Sequence, residues 1–157
     1  MSNKIAIVTG GAGFIGSHIV DLLAKNNFEV RIIDDLTGGN EGNLKHHKTN
    51  NKIFFEKIDI CKIDEKNKIF KDVNYVYHLA GKGDIVPSIE RPFDYFNTNF
   101  NGTLKILEAS KYANIDSFVY AASSSCYGIA NTPTDEKNKV NPLYPYALSK
   151  YMGEQLS

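Results

Sequence analysis

Apolar and polar positions follow two different periods along the chain, and the two periods alternate. Five short runs are nearly continuous in apolar and β-branched residues, which is typical of buried strands. These runs are KIAIVT at 4–9, EVRIID at 29–34, KIFFEKID at 52–59, NYVYHLA at 74–80 and SFVYAAS at 117–123. Segments with a helical spacing of apolar residues lie between them. The alternation predicts an α/β domain built on a parallel sheet with right-handed crossovers.

Three helices are clearest in the pattern: 14–26, 93–113, and one that begins near Tyr144 and still continues at Ser157. The residues predicted to face the sheet are Ile15, Ile19, Leu22 and Leu23 in the first helix and Phe100, Leu104 and Leu107 in the second. The last helix has no following strand, which would leave an apolar face without its usual cover. We therefore expect residues 1–157 to be one domain, truncated before its last strands.

Charge, composition and cysteine content exclude several classes of protein. Eighteen basic residues balance eighteen acidic ones without a basic block, so neither nucleic acid nor a membrane is an expected partner. No apolar segment approaches about 18 residues, the length of a membrane-spanning helix, and no signal peptide is recognisable, which favours the cytoplasm. Cys61 and Cys126 lack the spacing of a disulfide framework or zinc site. His46 and His47 have no carboxylate or third histidine at a supporting spacing, so we expect a solvated surface and no metal site.

A glycine-rich turn, TGGAGFIG at 9–16, joins the first predicted strand to the first helix. It satisfies both GxGxxG and GxxGxxG. Glycines at such a turn let the backbone approach a pyrophosphate, which the helix N-terminus then binds. The candidate cofactor contacts in this turn are Gly10, Gly13, Phe14, Ile15 and Gly16. Strand, turn and helix in this order favour dinucleotide binding over an ordinary tight turn.

Asp34 lies at the end of the second predicted strand, at the distance from the glycines that a dinucleotide site requires. A carboxylate there accepts both ribose hydroxyls and repels a 2′-phosphate, so the predicted cofactor is NAD and not NADP. Asp59 and Ile60 close the third strand, where the carboxylate could accept the adenine amino group or cap a loop. The sequence thus predicts a Rossmann-like, doubly wound NAD-binding domain.

Tyr146 and Lys150 stand four residues apart in YALSK. On a helix both lie on one face, where a lysine ammonium stabilises a phenolate and so equips the tyrosine for acid/base work. The spacing alone is common on solvated helix faces. It indicates chemistry only together with a redox cofactor and a partner hydroxyl.

Further motifs complete a pattern: HLAGKGD at 78–84, NTNFNGT at 97–103 and SSSCYG at 123–128. With the motifs above, the chain resembles the extended short-chain dehydrogenases/reductases of the NAD-dependent epimerase/dehydratase family. It is most similar to the UDP-sugar 4-epimerases. The motifs span essentially the whole chain but only the N-terminal half of the family, whose C-terminal nucleotide-sugar domain is absent. The resemblance implies NAD, a UDP-sugar substrate and, at full length, a homodimer through the helices at 93–113 and near Tyr144.

The resemblance also implies roles for individual residues. Tyr146 would be the catalytic base, Lys150 would hold the nicotinamide ribose, and Ser123, four positions before Tyr127, would orient the sugar hydroxyl. A serine at a strand end is also a common turn or helix cap. The remaining implied cofactor contacts are Leu79, Ala80, Gly81 and Asn99, and the implied substrate contacts are Ser88 and Ser124. Asn99 could instead form a helix-interior hydrogen bond, and Ser88 could be a solvated loop residue.

The implied reaction is a 4-epimerisation through transient oxidation at C4 of the sugar. Family members that dehydrate the 4-keto sugar carry acids directly after the catalytic serine or threonine, whereas this chain has Ser124, Ser125 and Cys126. The composition of this segment favours epimerisation over 4,6-dehydration. A 4-reductase and a non-catalytic NAD-binding module or sensor remain alternatives, and the sugar is not specified. We expect residues 1–157 alone to bind NAD weakly without turnover.

Overall fold

The computed structural model describes residues 4–157 and contains one five-stranded parallel sheet. The strands are β1 (Ile5–Thr9), β2 (Glu29–Asp34), β3 (Ile53–Lys57), β4 (Tyr75–His78) and β5 (Ser117–Tyr120), in the spatial order β3-β2-β1-β4-β5. All five predicted strands are present, although β3, β4 and β5 end earlier than predicted. The order reverses between β1 and β4, which is the point where ligands bind in doubly wound folds.

Helices cover the sheet on both faces. They are α1 (Phe14–Lys25), α2 (Val86–Glu90), α3 (Pro92–Phe96), α4 (Thr103–Tyr112) and α5 (Pro145–Leu156), with short 3₁₀ helices at Glu41–His47, Ile60–Lys62, Lys68–Phe70 and Ser124–Tyr127. Between 4 and 157, no helix combines the length and the apolar character needed to cross a bilayer.

Strand β1 is the centre of the core because β2 and β4 both pair with it. Its side chains alternate between two apolar clusters, as the pleat of a strand requires. Ile7 packs with Val76 and Ile106 on the face covered by α4. Val8 packs with Val20 of α1 on the other face. The two faces therefore carry different helices, as a doubly wound sheet does.

The predicted inner face of α1 is partly wrong. Ile15 and Leu22 are 62% and 60% exposed, whereas Gly16, Val20 and Leu23 are buried. The reason is the close approach of the helix to the glycine turn. A Cβ on Gly16 would lie 2.1 Å from the carbonyl oxygen of Gly10, so the glycine side of α1 must face the sheet. The buried stripe is rotated accordingly, and Ile19 stays at its edge.

The helix predicted over 93–113 contains a π-helical segment, Asn97–Gly102, between α3 and α4. Its predicted inner face is wrong: Leu104 is exposed, and Phe100 and Leu107 are only half-buried. The face that packs inward consists of Asn99, Gly102, Thr103, Ile106 and Ala109. A purely hydrophobic pattern misses this face because part of it is polar and internally hydrogen-bonded.

The expectation that no carboxylate supports the two adjacent histidines is also wrong. Nε2 of His46 and Nε2 of His47 each lie 2.7 Å from Oδ1 of Asp21. Asp21 belongs to α1, 25 residues before His46, so no local spacing in the sequence could indicate the contact.

Candidate active site

The turn between β1 and α1 can be built only from glycine at two positions. Gly10 has φ of +67°, in the left-handed region, and a Cβ there would lie 2.7 Å from the backbone nitrogen of Ala80. Gly16 has no room for a side chain either, because of the contact with Gly10 described above. The two glycines allow α1 to pack closely against the end of the sheet. The space over Gly10 and Gly16, which no side chain fills, is called the cradle below.

The N-terminus of α1 faces this cradle without a cap. Gly13 is the N-cap residue and provides no side-chain acceptor, and the first turn carries no acidic side chain. The first N–H groups of any helix lack intrahelical acceptors; here they belong to Phe14, Ile15 and Gly16. Together with the positive end of the helix dipole they form a site for an anion such as a pyrophosphate. The side chains of Phe14 and Ile15 are exposed, so any contact there is made by the backbone.

Asp34 lies buried at the end of β2. Its Oδ2 accepts a hydrogen bond from the backbone N–H of Ala12 at 3.0 Å, and its Oδ1 accepts one from Leu36 at 2.8 Å. A Cβ on Gly39 would lie 2.6 Å from Oδ1. Each carboxylate oxygen therefore has one backbone donor and keeps a lone pair, which is what a pair of ribose hydroxyls requires.

A cleft of about 410 Å³ runs along the carboxyl ends of the strands. Eight of the predicted cofactor residues line it: Gly10, Gly13, Asp34, Asp59, Ile60, Leu79, Ala80 and Gly81. The predicted residues outside its lining are Phe14, Ile15, Gly16, Asn99, Tyr146 and Lys150. Sequence reasoning missed Thr37, Gly38 and Gly39, which also line the cleft. Their position directly after the acidic strand end was the available signal.

Asp59 combines the two roles considered for it. Its Oδ1 accepts a hydrogen bond from the N–H of Cys61 at 2.9 Å and caps the 3₁₀ helix at Ile60–Lys62. The carboxylate also lines the cleft. Ile60 is buried beneath Gly102, whose position has no space for a Cβ. Capping thus fixes the carboxylate at the rim of the cleft.

Tyr146 and Ser123 meet at one end of the sheet, although 23 residues separate them. The Tyr146 hydroxyl donates to Oγ of Ser123 at 3.3 Å. Ser123 also caps the 3₁₀ helix at Ser124–Tyr127, accepting a hydrogen bond from the N–H of Ser125. Ser124 is exposed beside this pair. The serine therefore acts as a cap and also presents its hydroxyl to the tyrosine.

Lys150 is 7% exposed, and its Nζ lies 4.2 Å from the centroid of the Tyr120 ring. Burial lowers the pKa of the Lys150 ammonium to about 8. No hydrogen bond joins Lys150 to Tyr146 within residues 4–157. The ammonium instead lies 3.9 Å from the place where a Cβ on Gly81 would be. The ammonium is therefore directed towards Gly81, which lines the cleft.

Asn99 and Ser88 are both buried and internally hydrogen-bonded. The Asn99 amide accepts from the N–H of Lys82 at 2.7 Å and donates to the carbonyl of Lys82 and to Oγ of Ser149. It thus holds the chain that follows β4 in place at the cleft. Ser88 donates to the carbonyl of Ile85 at 2.6 Å and is fully buried. A side chain enclosed in this way offers no surface to a sugar, so we do not include Ser88 in the site.

A buried hydrogen-bond chain connects the strand ends with the π segment, and sequence reasoning missed it. The Thr103 hydroxyl donates to the carbonyl of Asn99, so its oxygen accepts from Nε2–H of His78. Nδ1 of His78 then accepts from the Thr9 hydroxyl at 2.6 Å, and Thr9 accepts from the N–H of Ala80. Burial, followed by the positive charge of Lys150, lowers the pKa of His78 to about 3. His78 is a neutral structural residue.

The two cysteines are free thiols. Cys126 is buried in the 3₁₀ helix that Ser123 caps, and burial raises the pKa of its thiol. Burial also raises the pKa of Cys61 to about 11, with the charge of Asp59 adding to the effect. Both thiols are therefore protonated at neutral pH, and Cys126 acts as a small apolar residue.

Comparison with known proteins places this geometry in a family. The model of the NAD dependent epimerase/dehydratase family matches residues 6–157. The chain belongs to that family. The family name specifies NAD as the cofactor, which agrees with the cofactor predicted from Asp34.

Individual relatives agree with the family. A provisionally named UDP-glucose 4-epimerase of Methanocaldococcus jannaschii is 47% identical over 152 residues, which are 95% of this chain and 48% of that protein. Among solved structures, the UDP-N-acetylglucosamine 4-epimerase of Methanobrevibacter ruminantium is 38% identical, with a TM-score of 0.91 over 99% of this chain and 50% of its own. A dTDP-glucose 4,6-dehydratase of Streptomyces venezuelae, solved with NAD bound, is 29% identical, with a TM-score of 0.90 over 98% of this chain and 50% of its own.

The chain spans about half the length of the relatives that it matches. The similarity covers the five-stranded sheet, the cleft and the segments that carry Ser123 and Tyr146. It does not extend to the remaining half of those proteins.

Proposed function

We propose that the protein containing this chain is an NAD-dependent nucleotide-sugar 4-epimerase of the UDP-hexose class. The observation that carries the proposal is the Tyr146–Ser123 hydroxyl pair, 3.3 Å apart, beside a cleft built for a dinucleotide. A pure NAD-binding module needs the cleft but has no use for the pair. The relatives named above as 4-epimerases support the same reading.

The residues present fit NAD. The cradle over Gly10 and Gly16 would hold the pyrophosphate at the N-terminus of α1, since a Cβ at either glycine would collide with backbone. The free lone pairs of Asp34 would accept the adenosine ribose hydroxyls. Lys150, which faces the cleft at Gly81, would hold the nicotinamide ribose.

Bound NAD would supply a hydride acceptor for C4 of the sugar and, in its reduced form, a hydride donor to the opposite face. The protein's part is to move the proton of the C4 hydroxyl. Tyr146 would take this proton through its phenolic oxygen, and Ser123 would orient the hydroxyl from the other side. Lys150 is buried one helical turn after Tyr146, and its positive charge would stabilise a phenolate formed there.

The segment after Ser123 favours epimerisation over dehydration. Elimination of water needs an acid and a base near C5 and C6, which carboxylates supply. Ser124 and Ser125 carry hydroxyls only, and the thiol of Cys126 is buried and protonated. The dehydratase of S. venezuelae shares the fold, so fold alone does not decide between the two reactions.

The sugar contacts, the oligomer and the compartment form a second part of the proposal. We infer that Ser124 contacts the sugar and that a further domain supplies the rest of the pocket. Exposed apolar side chains on α3 and α5, such as Phe93 and Leu148, support a homodimer through these helices. Free cysteines and the absence of a membrane-spanning helix between residues 4 and 157 are consistent with a cytoplasmic enzyme.

The test is a turnover assay with a panel of UDP-sugars on the protein including its downstream sequence. We expect one or more pairs of C4 epimers to interconvert without added redox partner. Tyr146→Phe should lower kcat at least about 100-fold, whereas the control Tyr151→Phe, on the same helix, should not. Full activity of Tyr146→Phe, or a dehydrated product, would overturn the assignment.

A further inference from the structure

Three of the four histidines of the chain, His18, His46 and His47, gather around a single carboxylate, that of Asp21. His18 and Asp21 lie one turn apart on α1, and His46 and His47 end the 3₁₀ helix at Glu41–His47. α1 packs on the face of the sheet opposite α4. The cluster therefore takes no part in the proposed epimerase reaction.

The geometry of the cluster is convergent. Nε2 of His46 and Nε2 of His47 both lie 2.7 Å from the same atom, Oδ1 of Asp21. The centroids of the two imidazole rings are 4.1 Å apart. Nδ1 of His18 lies 3.9 Å from the other carboxylate oxygen. The imidazole nitrogens of His46 and His47 and a carboxylate oxygen of Asp21 thus lie close together.

The local fold holds this arrangement in place. Asn40 caps the 3₁₀ helix through a hydrogen bond from the N–H of Gly42, and Leu44 anchors the helix in the apolar cluster beneath α1. The side chain of His47 is only 11% exposed. His46 and Asp21 remain open to solvent, which gives an ion a path of entry.

We propose that Asp21, His46 and His47 form a Zn²⁺ site, with solvent and the neighbouring His18 available for the open position. Imidazole nitrogen and carboxylate oxygen are zinc ligands with bond lengths of about 2.0–2.2 Å. Ligand atoms in a tetrahedral site are therefore about 3.3 Å apart. The nitrogen-to-oxygen distances of 2.7 Å need to open by only about 0.6 Å to admit the ion.

Zinc at this position would connect α1 to the segment that follows Asp34. The N–H of Asn40 and the side-chain amide of Asn43 both donate to the carbonyl of Ala12, at 3.0 and 2.9 Å. Thr37, Gly38 and Gly39 of the same segment line the cofactor cleft. The site thus lies behind one wall of the cleft.

The experiment uses untagged protein freed of metal with a chelator. Titration with ZnCl₂ by calorimetry should show one equivalent bound per chain. Imidazole resonances of His46 and His47 in ¹⁵N NMR spectra should shift on addition of Zn²⁺, whereas those of His78, buried between Thr9 and Thr103, should not. The melting temperature should rise with zinc concentration, since the folded state alone holds the three ligands together.

Asp21→Asn should weaken zinc binding at least about tenfold, and Asp64→Asn, at an exposed position, should not. His46→Gln provides a second variant, because a half-exposed side chain can be replaced without loss of the fold. The proposal is overturned if the protein binds no zinc, if the His46 and His47 resonances do not move, or if Asp21→Asn and His46→Gln bind as tightly as the wild type.

Discussion

Lys150 should reduce the stability of the fold even though the proposed chemistry requires it. Its ammonium is nearly enclosed, and no salt bridge to it is found among residues 4–157; the Tyr120 ring is its close electrostatic partner. Lys150→Met keeps the length of the side chain and removes the charge. We expect the variant to be more stable than the wild type and unable to turn over a UDP-sugar.

The magnitude follows from the pKa of Lys150. Burial lowers this pKa from 10.5 to about 8, which corresponds to about 3 kcal/mol of lost stability at pH 7. Loss of the contact between the ammonium and the Tyr120 ring removes about 1 to 2 kcal/mol from the gain. The net increase in the free energy of unfolding should therefore be about 1 to 2 kcal/mol.

The sign of the pH dependence provides a second check. Between pH 8 and 10.5 the unfolded chain still binds the Lys150 proton and the folded chain does not. Wild-type stability consequently rises with pH in this window, relative to the variant. The advantage of Lys150→Met should shrink as the pH is raised through it.

Urea unfolding at pH 7 and at pH 9.5 measures both effects, with Lys111→Met as the control at an exposed helical position. The control should change stability by less than about 0.5 kcal/mol at either pH. The reasoning is refuted if Lys150→Met is no more stable than the wild type at pH 7. It is also refuted if the difference in the free energy of unfolding between the two proteins is the same at pH 9.5 as at pH 7.

Three further outcomes are expected. Gly16→Ala should abolish measurable NAD binding and lower the melting temperature, because its Cβ would meet the Gly10 carbonyl oxygen at 2.1 Å. Gly38→Ala, with nothing within 4 Å of its Cβ, is the control for the melting temperature, and equal melting temperatures of the two variants would contradict the close approach. Asp34→Asn should weaken NAD binding at least about tenfold by removing charge-assisted hydrogen bonds, while NADP binding weakens less. Calorimetry with both cofactors measures the ratio of the two affinities, and an unchanged ratio would be evidence against the ribose contact. Burial lowers the pKa of His78 from its ordinary value of 6.5 to about 3. The unfolded state therefore binds more protons between these two pH values, and stability should fall on acidification by up to about 1.4 kcal/mol per pH unit from this group. Denaturant unfolding of His78→Gln between pH 6.5 and 4.5 should show a shallower loss of stability, and a slope equal to that of the wild type would exclude His78 as the cause.

The sequence was sufficient wherever local patterns carry the information. Apolar runs located all five strands, and the glycine turn with Asp34 located the cofactor cleft, because a strand, its turn and the next strand end are close in sequence. Ser123 and Tyr146 could be paired only through the resemblance to a family, since 23 residues separate them.

Contacts between distant elements escaped prediction for a physical reason. The inner faces of α1 and α4 depend on how closely each helix approaches its neighbours, and a hydrophobic period does not report this distance. Gly16 and Asn99 face inward because backbone crowding and hydrogen bonding decide their places. The contacts of His78 with Thr9 and of Asp21 with His46 likewise join separate elements.

The most direct test of the central claim follows the hydrogen at C4 through one turnover. A UDP-sugar that the protein interconverts is prepared with deuterium at C4 and incubated with the protein in ordinary water. Internal transfer to NAD and back predicts that the C4 epimer retains its deuterium, with no net NADH, and that Tyr146→Phe forms almost none of it. Loss of the deuterium to solvent, or an epimer formed equally well without Tyr146, would contradict the account.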